Sequence, residues 1–431
     1  MKVLIISAEV WQEKTNGGNV LSNMFRNMDW EFAQIYCNPG MPENKICNKY
    51  YQMTDGMVIR NTFSHKPIGK KFEFVFEENE SEQENDEIEL PNQRFYSFFH
   101  KHRLGIFYLA KHLLWNISNW KNENLKNFID DFSPDIIFAP CYGDKFLLRL
   151  TRFIGDYTGK KIISYISDDH YTLKQFSISP IFWMERFVLR NELRKTFPYY
   201  SLVYTMTEAQ KIQCERDLQG NMKILRKAAP YTNIQSDKAV NNPIHIVYAG
   251  GIYLNRWKTL KMLVDVLREI NKDGIKVILD IYTANEITSE INKALNDGVN
   301  SSIHNSVSQS ELAQIYQNSD IALHVESFDL KNRLLVRMSF STKIVDCLSS
   351  GCAIMAICDS KQGGFEYLNS ENAAICVSDT EEIRQALSRL IEDKHLIVEY
   401  ANNAKQCCIR NHDVNKIEKM IRCDFENLVV L

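Results

Sequence analysis

Short apolar runs separated by stretches of helical spacing recur through this chain, and they limit its fold class more than any other feature. Lys2 to Ala8 sets Val3, Leu4, Ile5 and Ile6 side by side, as suits a strand buried on both faces of a parallel sheet. Thr15-Asn16-Gly17-Gly18-Asn19 follows as a glycine loop, and then Val20, Leu21, Met24, Phe25 and Met28 recur at helical spacing. Trp30 to Cys37, Pro134 to Ala139, Lys161 to Ile166, Leu202 to Thr205 and Ile224 to Ala228 read as further strands. Helices are expected at Phe99 to Ile117, at Glu123 to Phe132 and from Glu208. The polar, asparagine-rich stretch from Tyr231 to Asn242 ends before Pro243 and reads as a linker. The rhythm then starts again, with strands at Ile244 to Ala249, Lys276 to Ile281, Ile321 to Val325, Ala353 to Ile357 and Ala374 to Val377. The expectation is an α/β protein of two doubly wound parallel-sheet domains, 1–235 and 243–412. A helix-prone segment, 413–431, is long enough to cross back onto the first domain. A length of 431 residues leaves room for two such cores.

Charge and composition narrow the function. Lys+Arg 51 against Asp+Glu 54 gives a formal net charge of -3, which argues against the broad basic surface of a general nucleic-acid binder. Eight carboxylates between Glu77 and Glu89 mark an exposed acidic insertion at about 77–90. The 11 cysteines include no metal-type CxxC pair, and Cys347, Cys352, Cys358 and Cys376 sit in apolar runs as small buried hydrophobes. That usage points to a reducing compartment. The opening MKVLIISAEVW is expected to be a buried strand and not a signal peptide, and no apolar run of 18 residues occurs.

The most informative chemistry lies between Ser339 and Ala356. Thr342 is placed to cap a helix whose first turn holds Lys343, and Asp346 lies one turn on, on the same face. Free N–H groups and an amine suit an anion, and a carboxylate one turn in suits two vicinal ribose hydroxyls. The combination fits a nucleotide diphosphate, and equally an ordinary capped helix between strands. Tyr248-Ala249-Gly250-Gly251, followed by Arg256 and Lys258, delivers two bases near a strand end, either as a diphosphate grip or as a solvated basic turn.

These segments together resemble the GT-B glycosyltransferases, closest to the retaining GT4-type class of bacterial polysaccharide enzymes. The segment Phe340 to Gly351 resembles that family's P-[ST]-K-hydrophobic-hydrophobic-[ED]-x-[LM]-x-x-G signature, with Ser341 in the proline position. The resemblance implies two Rossmann-like domains facing a cleft, with the donor in the second. Gly251, Thr342, Lys343 and Asp346 would line the donor site, and Arg256 or Lys258 would clamp its diphosphate. Gly17 and Gly18 would approach from the facing domain. Many relatives carry a Glu seven residues before the ribose carboxylate; here that place is Met338, and Glu326 does not slide into the register without a gap.

On the first domain, Ser167-Asp168-Asp169-His170 follows a strand and would face the cleft. Two acids and a histidine suit an acceptor hydroxyl or its proton, or a helix cap and a salt bridge. Asp169 is the first choice, with Asp168 and His170 beside it. The implied activity is sugar transfer from a nucleotide-sugar co-substrate to a glycan or polyprenyl-diphosphate-linked saccharide, with retention, and with neither a metal nor a further cofactor. The alternatives are a GT-B nucleotide-sugar epimerase and a non-catalytic binding protein. Aromatic and basic residues interleaved from Phe95 to Trp120, together with Ile181-Phe182-Trp183-Met184, suggest a cytoplasmic protein that rests on the anionic inner face of the plasma membrane.

Overall fold

Most strands form where the chain sets β-branched and aromatic residues in a run too short for a helix, and the central ones, such as Ile136–Phe138, Ile162–Ile166, Ile321–Val325 and Ala353–Ile357, are buried throughout. A computed structural model describes residues 1–12, 16–62, 66–74, 105–230, 234–236 and 238–430. The acidic insertion, the aromatic start of the Phe95 to Trp120 stretch and part of the expected linker lie outside them.

The first sheet has eight strands: β1 (Lys2–Ser7), β2 (Glu31–Tyr36), β3 (Lys49–Gln52), β4 (Lys70–Glu73), β5 (Ile136–Phe138), β6 (Ile162–Ile166), β7 (Tyr200–Thr205) and β8 (Met222–Ile224). Their order is β4-β3-β2-β1-β5-β6-β7-β8, and only the β3–β4 pair is antiparallel. The second sheet, wholly parallel, contains β9 (Ile244–Ala249), β10 (Val277–Thr283), β11 (Ser301–Asn305), β12 (Ile321–Val325), β13 (Ala353–Ile357) and β14 (Ile375–Val377). Its order is β11-β10-β9-β12-β13-β14. In each sheet the order reverses beside the first strand, at β1/β5 and at β9/β12. Doubly wound sheets open a crevice for ligands beyond the strand ends at such points.

Helices cover both faces of each sheet. Asp144 caps the helix Lys145–Thr158, Ser179 caps Pro180–Thr196, and Thr207 caps Glu208–Leu218, each by accepting from a first-turn N–H. The helix Val414–Val430 buries Ile417, Ile421 and Phe425, spaced four apart, against the first sheet. Phe425 stacks among Phe25, Trp30 and Phe138, with ring centres 5.7, 5.0 and 6.2 Å away. Tyr204 and Lys223 bind Asp424 from the first sheet. The apolar core on this side runs unbroken from β1 through that helix to Ile344, Val345 and Leu348 of the second domain.

Two expectations change. Gly17 and Gly18 lie in the first turn of the helix Asn16–Phe25, not in a loop. Glycine is needed at 18 because the Gln12 backbone crosses there: a Cβ would stand 1.9 Å from its carbonyl oxygen. In the helix Gly105–Ile117 the spacing predicts Leu113, Leu114 and Ile117 inward and Lys111 and Trp115 outward, but of those three apolar residues only Leu114 packs on the core. Trp115 is buried, stacks on Phe146 at 3.5 Å and donates its indole N–H to Asp55. Lys111 pairs with Asp55 at 2.9 Å, while Leu113 and Ile117 are each 62% exposed. No helix among the described residues is long and apolar enough to cross a membrane.

Candidate active site

Residues that follow the C-terminal ends of strands in both sheets meet at the seam between the domains. On the second-domain side, β9 runs into Gly250-Gly251 and β12 into Glu326. The helix Arg256–Ile270 begins beyond Asn255, which takes the left-handed conformation (φ 61°). That start turns Arg256 inward, where it pairs with Glu326 through two hydrogen bonds of 2.8 and 2.7 Å. Both side chains are buried, and the remaining Arg256 Nη1 has no hydrogen-bond partner. Lys258 is exposed beside Trp257. Of the two candidate bases, the structure therefore brings only Arg256 into the cluster.

Lys343 lies along the Gly250 backbone: its Nζ is 2.3 Å from the place where a Cβ on Gly250 would stand, and 5.9 Å from the Tyr248 ring centre. Any side chain at 250 would displace the amine. Burial, reinforced by the charge of Arg256, pushes the Lys343 amine down to about 8. Its Nζ makes neither an ion pair nor a hydrogen bond with any other described residue. His324, on β12, is buried nearby, and burial pushes it down to about 4, so it is neutral at pH 7.

The helix behind this lysine is short, Lys343–Leu348, and Thr342 does not cap it. Thr342 has helical dihedrals (φ -59°, ψ -22°), so its hydroxyl makes no capping bond. The anion-binding capacity here belongs to the side chains. Asp346, one turn on, accepts from Lys227 of the first domain at 2.7 Å. Gly251 leaves room for the Tyr253 ring, which would otherwise lie 2.2 Å from a Cβ.

The acid cluster divides. Asp169 is buried, and its two oxygens accept from the Tyr171 and Thr172 N–H groups, the Thr172 hydroxyl, Arg186 and Arg337. With both oxygens so engaged, it acts as a buried anchor in this conformation and has no place to receive an acceptor proton. Asp168 faces the seam and accepts from Ser339 of the second domain at 2.6 Å. His170 Nε2 and the Tyr142 hydroxyl are buried without hydrogen-bond partners. Burial lowers the His170 imidazole and raises the Tyr142 phenol. Gly143 (φ +72°) admits the His170 ring, 2.6 Å from where its Cβ would be.

Met338 is buried in the seam, where its carbonyl accepts from Thr207 at 3.1 Å. It helps line a cavity of about 20 Å³ shared with Asp168, Asp169 and His170, which is room for about one water. Glu326 is weighed in the sequence from its place after β12 and set aside on register alone, whereas His324, Tyr142, Arg337 and Lys227 were not singled out from sequence.

Residues 262–420 match the model of a family described as glycosyl transferase-like. No curated protein matches the sequence. Sucrose-phosphate synthase from Thermosynechococcus elongatus superposes with a TM-score of 0.62 at 11% identity, covering 100% of this chain and 99% of that one. The chain has the GT-B fold. HepE from Anabaena, solved in complex with UDP, shares the GT-B architecture with a TM-score of 0.60, at 13% identity and 100% coverage of both chains. The α,α-trehalose 6-phosphate synthase from Burkholderia multivorans has a TM-score of 0.58 at 9% identity, covering 100% of this chain and 99% of that one. In this GT-B chain Glu326, Lys343 and Asp346 fall inside the matched segment, and Arg256 lies just before it.

Proposed function

We propose that the protein transfers a sugar from a nucleotide-sugar, held by the second domain, to a glycan hydroxyl presented by the first. One observation carries this reading: Lys343 Nζ and Arg256 Nη1 are cationic donors in one cluster, set beside the Tyr248 and Tyr253 rings, and neither nitrogen has a hydrogen-bond acceptor among the described residues. A diphosphate satisfies both, and Arg and Lys stabilise the charge that grows on it as the sugar leaves. Asp346 receives the ribose. Asp168 and His170, with Tyr142, form the acceptor side, and with no free nucleophile assigned the reading is front-face transfer with retention.

The acceptor is read as a lipid-linked saccharide in cell-surface polysaccharide assembly. Support comes from the loop that continues from the acid cluster, which exposes Leu173, Phe176 and Ile178 and leads into Ile181, Phe182 and Phe187. Lys174 in the loop, and Arg194 and Lys195 in the last turn of the helix Pro180–Thr196, are exposed. This surface, not the helix Gly105–Ile117, carries the reading of contact with an anionic bilayer. Charge-introducing variants at Phe176 and Ile178 are expected to abolish co-sedimentation with anionic vesicles at low salt and to spare transfer to a soluble acceptor. Wild-type protein that stays in the supernatant rejects the membrane reading.

Mass spectrometry of products from a nucleotide-sugar panel with a lipid-linked acceptor mixture tests the activity. Transfer supports the proposal, and epimerised donor without transfer points to the epimerase. Nucleotide binding without turnover favours a binding protein, a reading that draws on Met338 standing where many relatives carry Glu.

A further inference from the structure

We infer that Lys227, a residue of the first domain, belongs to the donor site as the positioning residue for the Asp346 carboxylate. The inference rests on the reading of Asp346 as the ribose ligand.

Lys227 leaves the first sheet three residues after β8 and reaches across the seam to the helix Lys343–Leu348. Its Nζ lies 2.7 Å from Asp346 Oδ1, with the two side chains 15% and 24% exposed. Only that oxygen is engaged; Oδ2 accepts from no side chain or backbone donor among the described residues. A carboxylate held by one oxygen keeps a fixed plane and presents the other, so an incoming hydroxyl orders less on binding.

The root of Lys227 is held as well. Its carbonyl accepts from His412 Nδ1 at 2.9 Å, and the Ala229 N–H donates to the His412 carbonyl at 2.9 Å. The His412 ring is fixed in turn by the Tyr367 hydroxyl at 2.8 Å from Nε2. Beside it the Arg226 guanidinium stacks over Tyr367, 4.4 Å from the ring centre. A solvated surface pair gains little from its geometry; this one is presented by a buried backbone clasp. Ribose recognition by the second domain therefore depends on a side chain from the first.

The test compares each ribonucleoside diphosphate with its 2′-deoxy counterpart (UDP, GDP, ADP and CDP) by calorimetry on the full chain. For the base that binds, wild type is expected to favour ribose by roughly tenfold or more, the effect of one hydrogen bond to a charged group. Lys227→Met should bring the ratio to within about threefold, and Lys227→Arg should restore it. A Lys227→Met variant that weakens both nucleotides equally and keeps the ratio overturns the inference. If that variant does not fold, Lys227→Gln, which retains a donor, should give an intermediate ratio, and a wild-type ratio overturns the inference. Asp346→Asn separates the two readings. A ratio unchanged by Asp346→Asn, or binding of no diphosphate by wild type, removes Asp346 as the ribose ligand. A ratio lost with Asp346→Asn but kept with Lys227→Met removes Lys227 alone.

Discussion

At the scale of single residues, the two cations of the proposed donor site differ in how they are held. Lys343 is an unpaired amine over a glycine, so Lys343→Ala is expected to preserve the fold and lower nucleotide-diphosphate affinity at least tenfold, or about 1.5–3 kcal/mol. Because burial depresses this amine to about 8, wild-type affinity should fall as pH rises through that value and the charged form is lost. Calorimetry between pH 7 and 9.5 reads both effects, and flat affinity over that range excludes Lys343 as the ligand. Arg256 is held by a buried partner. Glu326→Gln leaves it without a counter-charge and should cost about 3–5 kcal/mol of stability by denaturant titration. Lys343 and Asp346 stand out in the sequence because one helical turn separates them in a signature-like run. The choice between Asp168 and Asp169 was not: Arg186 and Arg337, which spend the oxygens of Asp169, lie 17 and 168 residues away.

At the scale of elements, the short segment Arg337–Ser339 fastens the second domain to the segments after β6 and β7. Arg337 reaches Asp169, the Met338 carbonyl takes Thr207, and Ser339 reaches Asp168. Asp169→Asn is therefore expected to act on stability, by about 3 kcal/mol as a buried charge pair is broken, while Asp168→Asn lowers turnover with an unchanged melting curve. Equal melting of the two variants contradicts this division. The buried parallel strands were legible, since contiguous apolar runs have few other uses. The antiparallel edge strand Lys70–Glu73 was not, because its exposed KKFE has no apolar alternation. Nor was the phase of Gly105–Ile117: Leu113 and Ile117 are apolar but face out, and the amphiphilic Trp115 faces in, because Asp55 is there to receive its N–H.

At the scale of the whole molecule, buried histidines tie stability to pH. Burial lowers His324 and His412 to about 4 each, below the ordinary value of about 6.5. The unfolded chain binds protons first as pH falls, so stability present above about 6.5 is lost progressively down to about 4, on the order of 3 kcal/mol per histidine. Chemical denaturation at pH 7 and pH 4.5 should reveal the loss, and His412→Gln should reduce it; an equal loss in that variant would count against His412 as a source. The two-sheet plan was legible because the βα rhythm occurs twice around a polar linker. The seam was less so, because its contacts join residues more than a hundred positions apart. The helix Val414–Val430 carries that long-range dependence furthest. Phe425 fills the first domain's aromatic cluster, so Phe425→Ala should cost about 3–5 kcal/mol there, by denaturant titration. During synthesis that filling arrives late: a ribosome must make the whole second domain before the first can bury Phe25, Trp30 and Phe138 fully. A nascent chain stalled after residue 240 should therefore expose this cluster to protease and chaperone, and become resistant only once residue 430 has cleared the exit tunnel.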